Sequence, residues 1–354
     1  MLRIETIDAH TAGEPLRLIV GGFPAVEGRT ILEQRAFVRE NYDHLRRALM
    51  LEPRGHADMY GALLTPPEHP GSHAGVLFMH NEGFSTMCGH GVIAVTTIAI
   101  ERNLIAVPPE NDGSMRITLD SPAGPIEAIA TVGSNDVGQG FSPATARVTS
   151  VRFRNVPSFV LHPVVPVRAG TREIRADVAF GGAFYAIVDS EAAGIPLAID
   201  RLPDLRRIGM EIKQAVEKAV KVEHPLEPQL QGIYGTIFTG PPSDETADLR
   251  NVTIFADAEV DRSPCGTGTA AVMAVLHAMG VLGLPEQVFT HESIIGTRFC
   301  GRVAGTTAIS TSAAGGEDER LEAIIPEIEG EAYITGENTF IIDDRDPLRH
   351  GFRL

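Results

Sequence analysis

The chain has 354 residues, 43% of them hydrophobic and 21% charged, so it can bury the cores of two domains of ordinary size. Its formal net charge of −16 opposes nonspecific binding to nucleic acid or to an anionic membrane, and no basic cluster offsets it. No apolar run is long enough for a membrane span, and the start MLRIETIDAHTAGEP lacks the apolar core of a signal peptide. Three cysteines without a CxxC pair predict no disulfide framework, so we expect a soluble cytoplasmic protein with free thiols.

The first half is predicted to begin with two strands, RIETID and LRLIV, separated by a turn at Gly13-Glu14-Pro15. Apolar residues at helical spacing among Arg and Glu predict a helix over 29–50. GVLFM is short and apolar, as expected of a buried strand, and a buried helix is predicted over 89–102. Further short strands are predicted at 115–119, 126–132 and 148–153.

The second half repeats this order. IRADVAFGGAFYAIV predicts strands bent at Gly181-Gly182, and an amphipathic helix with a Lys/Glu face follows over 205–222. GIYGTIFTG and NVTIFA are predicted strands around the turn-rich PPSDETADLR, and strands in TRFCGRVAG, EAIIPEIEGEAYITG and NTFIID close the chain. Residues 312–320 are predicted to form an exposed hairpin loop. Two halves of similar order predict an α/β architecture with pseudo-twofold symmetry and a boundary near 150–165.

One short segment occurs twice, about half a chain length apart. STMCGHGVIAV and RSPCGTGTAAV share the pattern Cys, Gly, any residue, Gly, two residues, Ala, Val, headed by Cys88 and by Cys265. Each pattern stands at a predicted helix start, where the positive end of the helix dipole favours a bound anion and stabilises a thiolate. Each segment is therefore suited to hold a carboxylate beside a reactive sulfur. The third cysteine, Cys300, lies in the strand-like TRFCGRV and is predicted to be a small buried apolar residue.

Other interpretations of these two segments fit the sequence less well. Gly89 to Ala94 fits the dinucleotide fingerprint G-x-G-x-x-A only loosely, and no acidic residue follows at the expected distance in a clean βαβ unit. A zinc site from Cys88, His90 and Cys265 lacks the paired spacing of structural zinc ligands. A Cys/His acyl-transfer pair would leave the second cysteine unexplained. Two equivalent cysteines fit best a reaction with acid/base groups on opposite sides of one carbon, where one thiolate removes a proton and the facing thiol delivers another.

At these residues the chain resembles the proline racemase family, over essentially its whole length. The resemblance is carried by DAHTAGEPLRLIVGG, PRGHADMYGALL, HNEGFSTMCGHG and DRSPCGTGTAA. It implies a mixed α/β (α+β) chain of two pseudo-symmetric domains with the diaminopimelate-epimerase-like fold, each a curved sheet around a central helix, with the active site in the interdomain cleft. We expect an N-terminal domain over 1–160, completed by about 342–354, and a C-terminal domain over 161–341.

The resemblance also implies roles for particular residues. The catalytic cysteines of the family fall on Cys88 and Cys265, and its polar partners for the substrate ring nitrogen fall on His90 and Asp261. The backbone amides that hold the substrate carboxylate in the family fall on Gly89, His90, Gly266 and Thr267. The alternative for Asp261 is a helix cap or turn residue, and for His90 a hydrogen bond to a neighbouring catalytic group. His56, Asn81 and Glu82 lie in stretches like those of the family and are expected to be structural.

The implied activity is cofactor-independent inversion of the α-carbon of a proline-type amino acid, with no metal. The partner is a small-molecule substrate, and a homodimer is one assembly open to the protein. Cys265 keeps the racemase and epimerase pattern, whereas the trans-3-hydroxy-L-proline dehydratase branch, which the other motifs resemble, typically has Thr there. Gly235 stands where 4-hydroxyproline epimerases typically have His.

We expect a 4-hydroxyproline 2-epimerase that can also dehydrate 3-hydroxyproline, since both reactions begin by removing the α-proton. The alternatives are a trans-3-hydroxy-L-proline dehydratase and a proline racemase. In a different class, a two-lobed amino-acid-binding protein without chemistry would leave both cysteines idle.

Overall fold

The computed structural model of the protein describes residues 1–134, 146–283, 286–311 and 319–353. Contacts between Cα atoms divide the chain into two compact units. The first consists of Met1–Phe153 together with Glu329–Leu354, and the second of Arg154–Ile328. The first unit is therefore built from both ends of the chain, whereas the second is one continuous segment.

The first unit contains three helices and eight strands among its described residues. The helices are α1 (Ile31–Asn41), α2 (Asp43–Met50) and α3 (Gly89–Glu101). The strands are β1 (Leu2–Thr11), β2 (Glu14–Gly21), β3 (Tyr60–Thr65), β4 (Ala74–His80), β5 (Met115–Ser121), β6 (Gly124–Ser134), β7 (Ala146–Arg154) and β17 (Ala332–Ile342).

The second unit contains three helices and nine strands among its described residues. The helices are α4 (Ser190–Ala193), α5 (Leu202–Ala219) and α6 (Gly266–Ala278), with a 3₁₀ turn at Ile199–Arg201. The strands are β8 (Ser158–Ala169), β9 (Arg172–Phe180), β10 (Phe184–Asp189), β11 (Gly235–Gly240), β12 (Leu249–Phe255), β13 (Glu259–Asp261), β14 (Phe289–Glu292), β15 (Arg298–Thr311) and β16 (Glu319–Gly330).

The two units repeat one pattern of strand pairing. In the first, β1 and β2 are antiparallel, β2 and β3 parallel, β3 and β4 antiparallel, β4 and β5 parallel, and β5 and β6 antiparallel. In the second, the same sequence of pairings runs through β9, β10, β11, β12, β14 and β15. Helix α3 connects the fourth and fifth strands of the first series, and α6 lies between the corresponding strands of the second. The pseudo-symmetry expected from the duplicated cysteine segment is thus present in the strand topology.

Each series of strands surrounds one apolar helix. In α3 every residue from Gly89 to Ile100 is buried, and in α6 every residue from Gly266 to Val275 is buried. Neither stretch carries a charged side chain, and a helix that is apolar on all sides is stable only when it is covered on all sides. Strands contact α3 from β1, β2, β3, β6 and β17, and contact α6 from β8, β9, β10 and β15. The predicted arrangement of a curved sheet around a central helix is confirmed.

Several details differ from the sequence-based expectations. The single helix predicted over 29–50 is two helices, because the backbone leaves helical geometry at Tyr42, whose ring packs edge-on against Phe23 and Phe37. The first unit ends after Phe153, and the chain returns to it after Ile328 rather than near 341, because β17 pairs with β1 along its whole length. Residues 312–318 of the predicted exposed loop lie outside the described residues, and the next two begin β16.

Candidate active site

Cys88 is the N-cap residue of α3. Its Sγ accepts a hydrogen bond from the backbone N–H of Gly91 at 3.2 Å, and its carbonyl accepts the first helical hydrogen bond from Val92 at 2.9 Å. The backbone of Cys88 is extended, with φ of −148°. The sulfur therefore lies at the positive end of the helix dipole, where a thiolate is favoured. Only 5% of the residue is exposed.

His90 lies directly against this thiol. Its Nδ1 is 3.3 Å from Cys88 Sγ, and its ring meets the Tyr60 ring edge-on with the centroids 4.7 Å apart. Its carbonyl accepts a hydrogen bond from Thr11 Oγ1 at 2.9 Å, and Tyr60 in turn bonds Ser85 through its hydroxyl at 2.5 Å. The imidazole is thus fixed within hydrogen-bond distance of the sulfur, which is the alternative that the sequence left open for His90. Its contact with a substrate nitrogen stays a prediction.

Cys265 is the N-cap residue of α6 and repeats this arrangement. Its Sγ accepts a hydrogen bond from the N–H of Gly268 at 3.3 Å, and its own N–H donates to Ser263 Oγ at 3.1 Å. Its φ is +63°, a left-handed conformation that costs a non-glycine residue about 1–3 kcal/mol. The preceding carbonyl, of Pro264, accepts hydrogen bonds from Asn251 Nδ2 at 2.8 Å and from Thr269 Oγ1 at 3.1 Å. These bonds hold the peptide before Cys265 in place and so maintain the strained residue.

The glycine three positions after each cysteine leaves room for the sulfur. A Cβ atom at Gly91 would lie 2.9 Å from Cys88 Sγ and 2.5 Å from Cε1 of Phe78 on β4. A Cβ atom at Gly268 would lie 2.9 Å from Cys265 Sγ and 2.9 Å from Cδ1 of Ile237 on β11. Any larger residue would displace the thiol or the side chain of Phe78 or Ile237. The repeated glycines are therefore required by close packing within each unit, a reason that the sequence alone did not reveal.

Asp261, at the end of β13, lies beside the second thiol. Its Oδ1 accepts hydrogen bonds from Ser263 N at 2.9 Å and from Ser263 Oγ at 2.7 Å, so it is the turn residue that the sequence offered as an alternative. Burial raises the pKa of Asp261 to about 6, against the opposing effect of the Ser263 hydrogen bonds. Burial, and next the charge of Asp261, raise the pKa of the Cys265 thiol to about 12. Contact of Asp261 with a substrate nitrogen stays a prediction.

The predicted carboxylate-binding residues lie at the first turns of the two helices. Gly89 and His90 open α3, and Gly266 and Thr267 open α6. Backbone N–H groups in the first turn of a helix have no intrahelical acceptor and can bind an anion. The position of all four residues suits the predicted role, which stays a prediction. The Thr267 side chain has a further contact, a 2.6 Å hydrogen bond with the hydroxyl of Tyr185.

Sequence reasoning missed Tyr185. This residue of β10 is fully buried, and its hydroxyl is 3.7 Å from Cys265 Sγ. Burial is also the main reason why the pKa of its phenol is raised well above the usual range. Nothing in GGAFYAIVD marks the tyrosine, because its proximity to Cys265 arises only when β10 packs against α6.

The three residues expected to be structural make local contacts in the first unit. Asn81 accepts a hydrogen bond from Met59 N at 3.1 Å and donates to Met50 O at 2.7 Å, so it ties α2 to the start of β3. His56 is exposed, with Nδ1 2.7 Å from the carbonyl of Ala57, and Glu82 forms an ion pair with Arg353.

Cys300 lies in β15 and is half-buried rather than buried, because it alternates with the buried Phe299 on the less covered side of the strand. Among the described residues, no cluster of three or more His, Cys, Asp or Glu side chains could hold a metal ion. No helix in the described part of the chain is long and apolar enough to cross a membrane.

Comparison with known proteins identifies the family. A family model described as proline racemase matches residues 6–353. The chain belongs to the proline racemase family. The sequence-based assignment and the expectation of an enzyme of this family are confirmed, because the match spans nearly the whole chain and the relatives are named as epimerases and dehydratases.

Relatives within the proline racemase family are named for different reactions. A trans-3-hydroxy-L-proline dehydratase of Bacillus cereus is 48% identical over 349 residues, which cover 99% of this chain and 97% of the relative. A 3-hydroxyproline 2-epimerase of Burkholderia multivorans is 42% identical over 353 residues, which cover 99% of this chain and 97% of the relative. Since the names differ, family membership leaves the reaction of this chain open between these types.

Solved structures confirm the fold. A hydroxyproline epimerase from Agrobacterium vitis with bound trans-4-hydroxy-L-proline has a TM-score of 0.84 and 30% identity, covering 100% of this chain and 97% of that one. A phenazine biosynthesis protein of the PhzF family from Bacillus anthracis has a TM-score of 0.58 at 12% identity over 97% of this chain and all of that one, and so shares the fold alone.

Proposed function

We propose that this member of the proline racemase family removes the α-proton of a hydroxyproline and acts on 3-hydroxyproline, both by dehydration and by inversion of the α-carbon. The proposal rests on one observation: each of the two cysteines caps an apolar helix and accepts a hydrogen bond from the third N–H of that helix. Such a cysteine can exchange a proton with carbon, because the helix end stabilises its thiolate.

The first step is assigned to Cys88. Its thiolate takes the α-proton, and the electron pair of the broken C–H bond moves toward the substrate carboxylate. First-turn N–H groups, those predicted at Gly89 and His90 among them, stabilise the charge that develops there. The imidazole at 3.3 Å from Cys88 Sγ supplies a polar neighbour that can hydrogen-bond the thiolate.

Two outcomes follow from the same intermediate. If a hydroxyl stands on the neighbouring carbon, its C–O bond breaks as a C=C bond forms. The hydroxyl leaves as water with the proton that Cys88 took from the α-carbon, which gives a pyrroline carboxylate and restores the Cys88 thiolate. If Cys265 instead gives its proton to the opposite face of the α-carbon, the S–H bond breaks, a C–H bond forms and the epimer results. The raised pKa of the Cys265 thiol, caused mainly by burial, keeps the sulfur protonated at neutral pH and so suits it to the role of acid.

One observation supports 3-hydroxyproline as the substrate, and a second supports epimerisation as one of the two reactions. The relatives at 48% and 42% identity are named for reactions of 3-hydroxyproline. The second thiol, Cys265, is present, and inversion requires it whereas elimination does not. Inversion of 4-hydroxyproline is a second candidate, supported by the bound trans-4-hydroxy-L-proline of the Agrobacterium epimerase at 30% identity.

The test measures two reactions on matched variants. Wild type, Cys88→Ser and Cys265→Thr are each given trans-3-hydroxy-L-proline and trans-4-hydroxy-L-proline in deuterium oxide. Exchange and inversion at the α-carbon are followed by NMR and optical rotation, and dehydration by the pyrroline product. Cys300→Ser, which changes the half-buried cysteine of β15, is the control and should keep wild-type rates.

Cys88→Ser should lose both reactions by about 10²- to 10⁴-fold, the usual contribution of a positioned acid or base. Cys265→Thr should lose inversion while dehydration persists. Normal inversion by Cys265→Thr would show that the second thiol is not the acid. A wild-type protein that binds hydroxyproline without exchange or turnover would instead favour a binding protein.

A further inference from the structure

Two hydroxyl groups lie next to the second thiol inside the second unit. The Tyr185 hydroxyl is 3.7 Å from Cys265 Sγ, and Thr267 Oγ1 is 3.9 Å from the same sulfur. The two oxygens are 2.6 Å apart, and all three residues are buried. The sulfur also accepts the N–H of Gly268 at 3.3 Å.

The number of hydroxyl protons determines whether a hydrogen-bond donor remains for the Cys265 sulfur. Each hydroxyl carries one proton, and the 2.6 Å contact between the oxygens uses one of the two. If Thr267 donates to Tyr185, the phenolic proton remains to face Cys265; if Tyr185 donates to Thr267, the threonine proton remains. In either order one hydroxyl proton is available to the sulfur, and the bond between the hydroxyls strengthens the donor that faces it.

We propose that the hydroxyl pair of Tyr185 and Thr267 stabilises the Cys265 thiolate that forms when this cysteine gives its proton to the α-carbon. The proposal rests on the acid role of Cys265 under the proposed function. No proton leaves the hydroxyl pair in this step: the S–H bond breaks, its electron pair stays on sulfur, and the hydroxyl proton forms a hydrogen bond to the new charge.

The charges around Cys265 explain why such a donor matters. Burial and the carboxylate of Asp261 on β13 both disfavour a thiolate, and they raise the pKa of Cys265 to about 12. Hydrogen bonds from Tyr185, Gly268 and Thr267 act in the opposite direction. Two further titratable groups act indirectly: Tyr234 lies beside Tyr185 with ring centroids 5.9 Å apart, and Arg262 lowers the pKa of Asp261.

The two thiols therefore have different neighbours. Cys88 has an imidazole, that of His90, at 3.3 Å, whereas Cys265 has two hydroxyls and a carboxylate. The duplicated sequence motif predicts equal cysteines, and the surroundings make them unequal. The hydroxyl pair acts on the second thiol, so its loss should reduce inversion far more than dehydration.

A double-mutant cycle tests the pair. Tyr185→Phe removes the phenol and keeps the buried ring, and Thr267→Val removes the hydroxyl with little change in volume. Either hydroxyl alone still has a proton for Cys265, so each single variant should show a small effect and the double variant a larger one. Tyr234→Phe, the same chemical change on the neighbouring ring, is the control.

The first readout is alkylation of Cys265 by iodoacetamide, measured by peptide mass spectrometry in a Cys88→Ser background at a fixed pH well below 12. The rate follows the thiolate fraction, partly offset by the greater nucleophilicity of a more basic thiolate. Loss of a hydrogen bond to a charged sulfur should lower the rate about three- to tenfold in the double variant. An unchanged rate in a folded double variant, with its circular dichroism spectrum intact, overturns the proposal.

The second readout, in the background with both catalytic cysteines, is the ratio of inversion to dehydration. The double variant should lose inversion about tenfold more in kcat than dehydration, since valine keeps the backbone N–H at position 267 that both reactions are predicted to use. A parallel fall in both reactions indicates a structural defect and overturns the proposal. If the wild-type protein shows no turnover, the role in catalysis fails together with the proposed function, and the alkylation rate still reports whether the hydroxyl pair stabilises the thiolate.

Discussion

Replacing Gly268 by Ala should impair inversion by moving the Cys265 sulfur. The new Cβ would lie 2.9 Å from Cys265 Sγ and 2.9 Å from Ile237 Cδ1 on β11. The Cβ would thus overlap the sulfur on one side and the Ile237 side chain on the other. Non-bonded heavy atoms prefer about 3.5–4.0 Å, so relief requires a shift of roughly 0.6–1 Å. A misplacement of about 1 Å in a reacting group can cost about 10²-fold in rate. We therefore expect inversion to fall about ten- to a hundredfold.

Gly91→Ala is the matched change at the first thiol. Its Cβ would lie 2.9 Å from Cys88 Sγ and 2.5 Å from Phe78 Cε1, and because Cys88 is the proposed base for both reactions, both should fall. Gly268→Ala should spare dehydration. Gly71→Ala, in a loop where an added Cβ meets no atom within 4 Å, should keep wild-type rates.

Thermal unfolding separates displacement of the sulfur from loss of the fold. Alanine in a helix is favoured over glycine by about 1 kcal/mol, which offsets part of the overlap, so the melting temperature of Gly268→Ala should change little. The assays are NMR exchange at the α-carbon and detection of the pyrroline product. Unchanged inversion in a stable Gly268→Ala protein would refute the reasoning, since the position of the sulfur would then not matter.

Further outcomes concern pH, metal and the thiols. Because burial raises the pKa of Asp261 from its ordinary value of 3.8 to about 6, its contribution to stability is fully present below pH 3.8 and is lost as the pH rises through 6. Asp261→Asn should abolish this pH-dependent contribution to stability. The difference in unfolding free energy between wild type and variant, measured by urea denaturation, should therefore change by at most about 3 kcal/mol between pH 3.8 and 6. A difference that stays constant with pH would contradict the raised pKa. Exhaustive dialysis against a chelator should leave activity intact, and a requirement for added metal would refute the two-thiol mechanism. Iodoacetamide should abolish activity and a substrate-like carboxylate should slow the loss; equal rates with and without the carboxylate would argue against its binding beside the thiols.

Patterns local in sequence predicted much of the fold. Two apolar stretches without a charged residue, each headed by Cys-Gly-x-Gly, indicated two buried helices, and α3 and α6 begin at Gly89 and Gly266 as expected. Strand β8 was missed, because it contains Pro163 and Pro166. Its pairing with β9 is irregular around His162 and Val165, and such bulges allow proline within a strand.

The neighbours of the thiols could be predicted less well than the thiols themselves. Cys88 and His90 are two positions apart in the chain, so their contact could be anticipated. Tyr185 meets Cys265 only through the packing of β10 on α6, and Asn251 reaches the carbonyl before Cys265 from β12. Contacts of this kind depend on tertiary structure, and no spacing in a single sequence encodes them. For the same reason, nothing in the sequence predicted the left-handed backbone conformation of Cys265.

The pairing of β1 with β17 has a consequence for how the protein forms on the ribosome. Strand β1 lies between β2 and β17, with partners running from Leu2↔Ile342 to Thr11↔Ala332. The whole of the second unit is synthesised after β1 and before β17. Because the second unit is one continuous segment, it can assemble while the first unit still lacks a strand. Until β17 emerges, β1 presents an open edge of the kind to which other extended chains can add. Nascent or C-terminally shortened chains should therefore depend on chaperones more than the finished protein does.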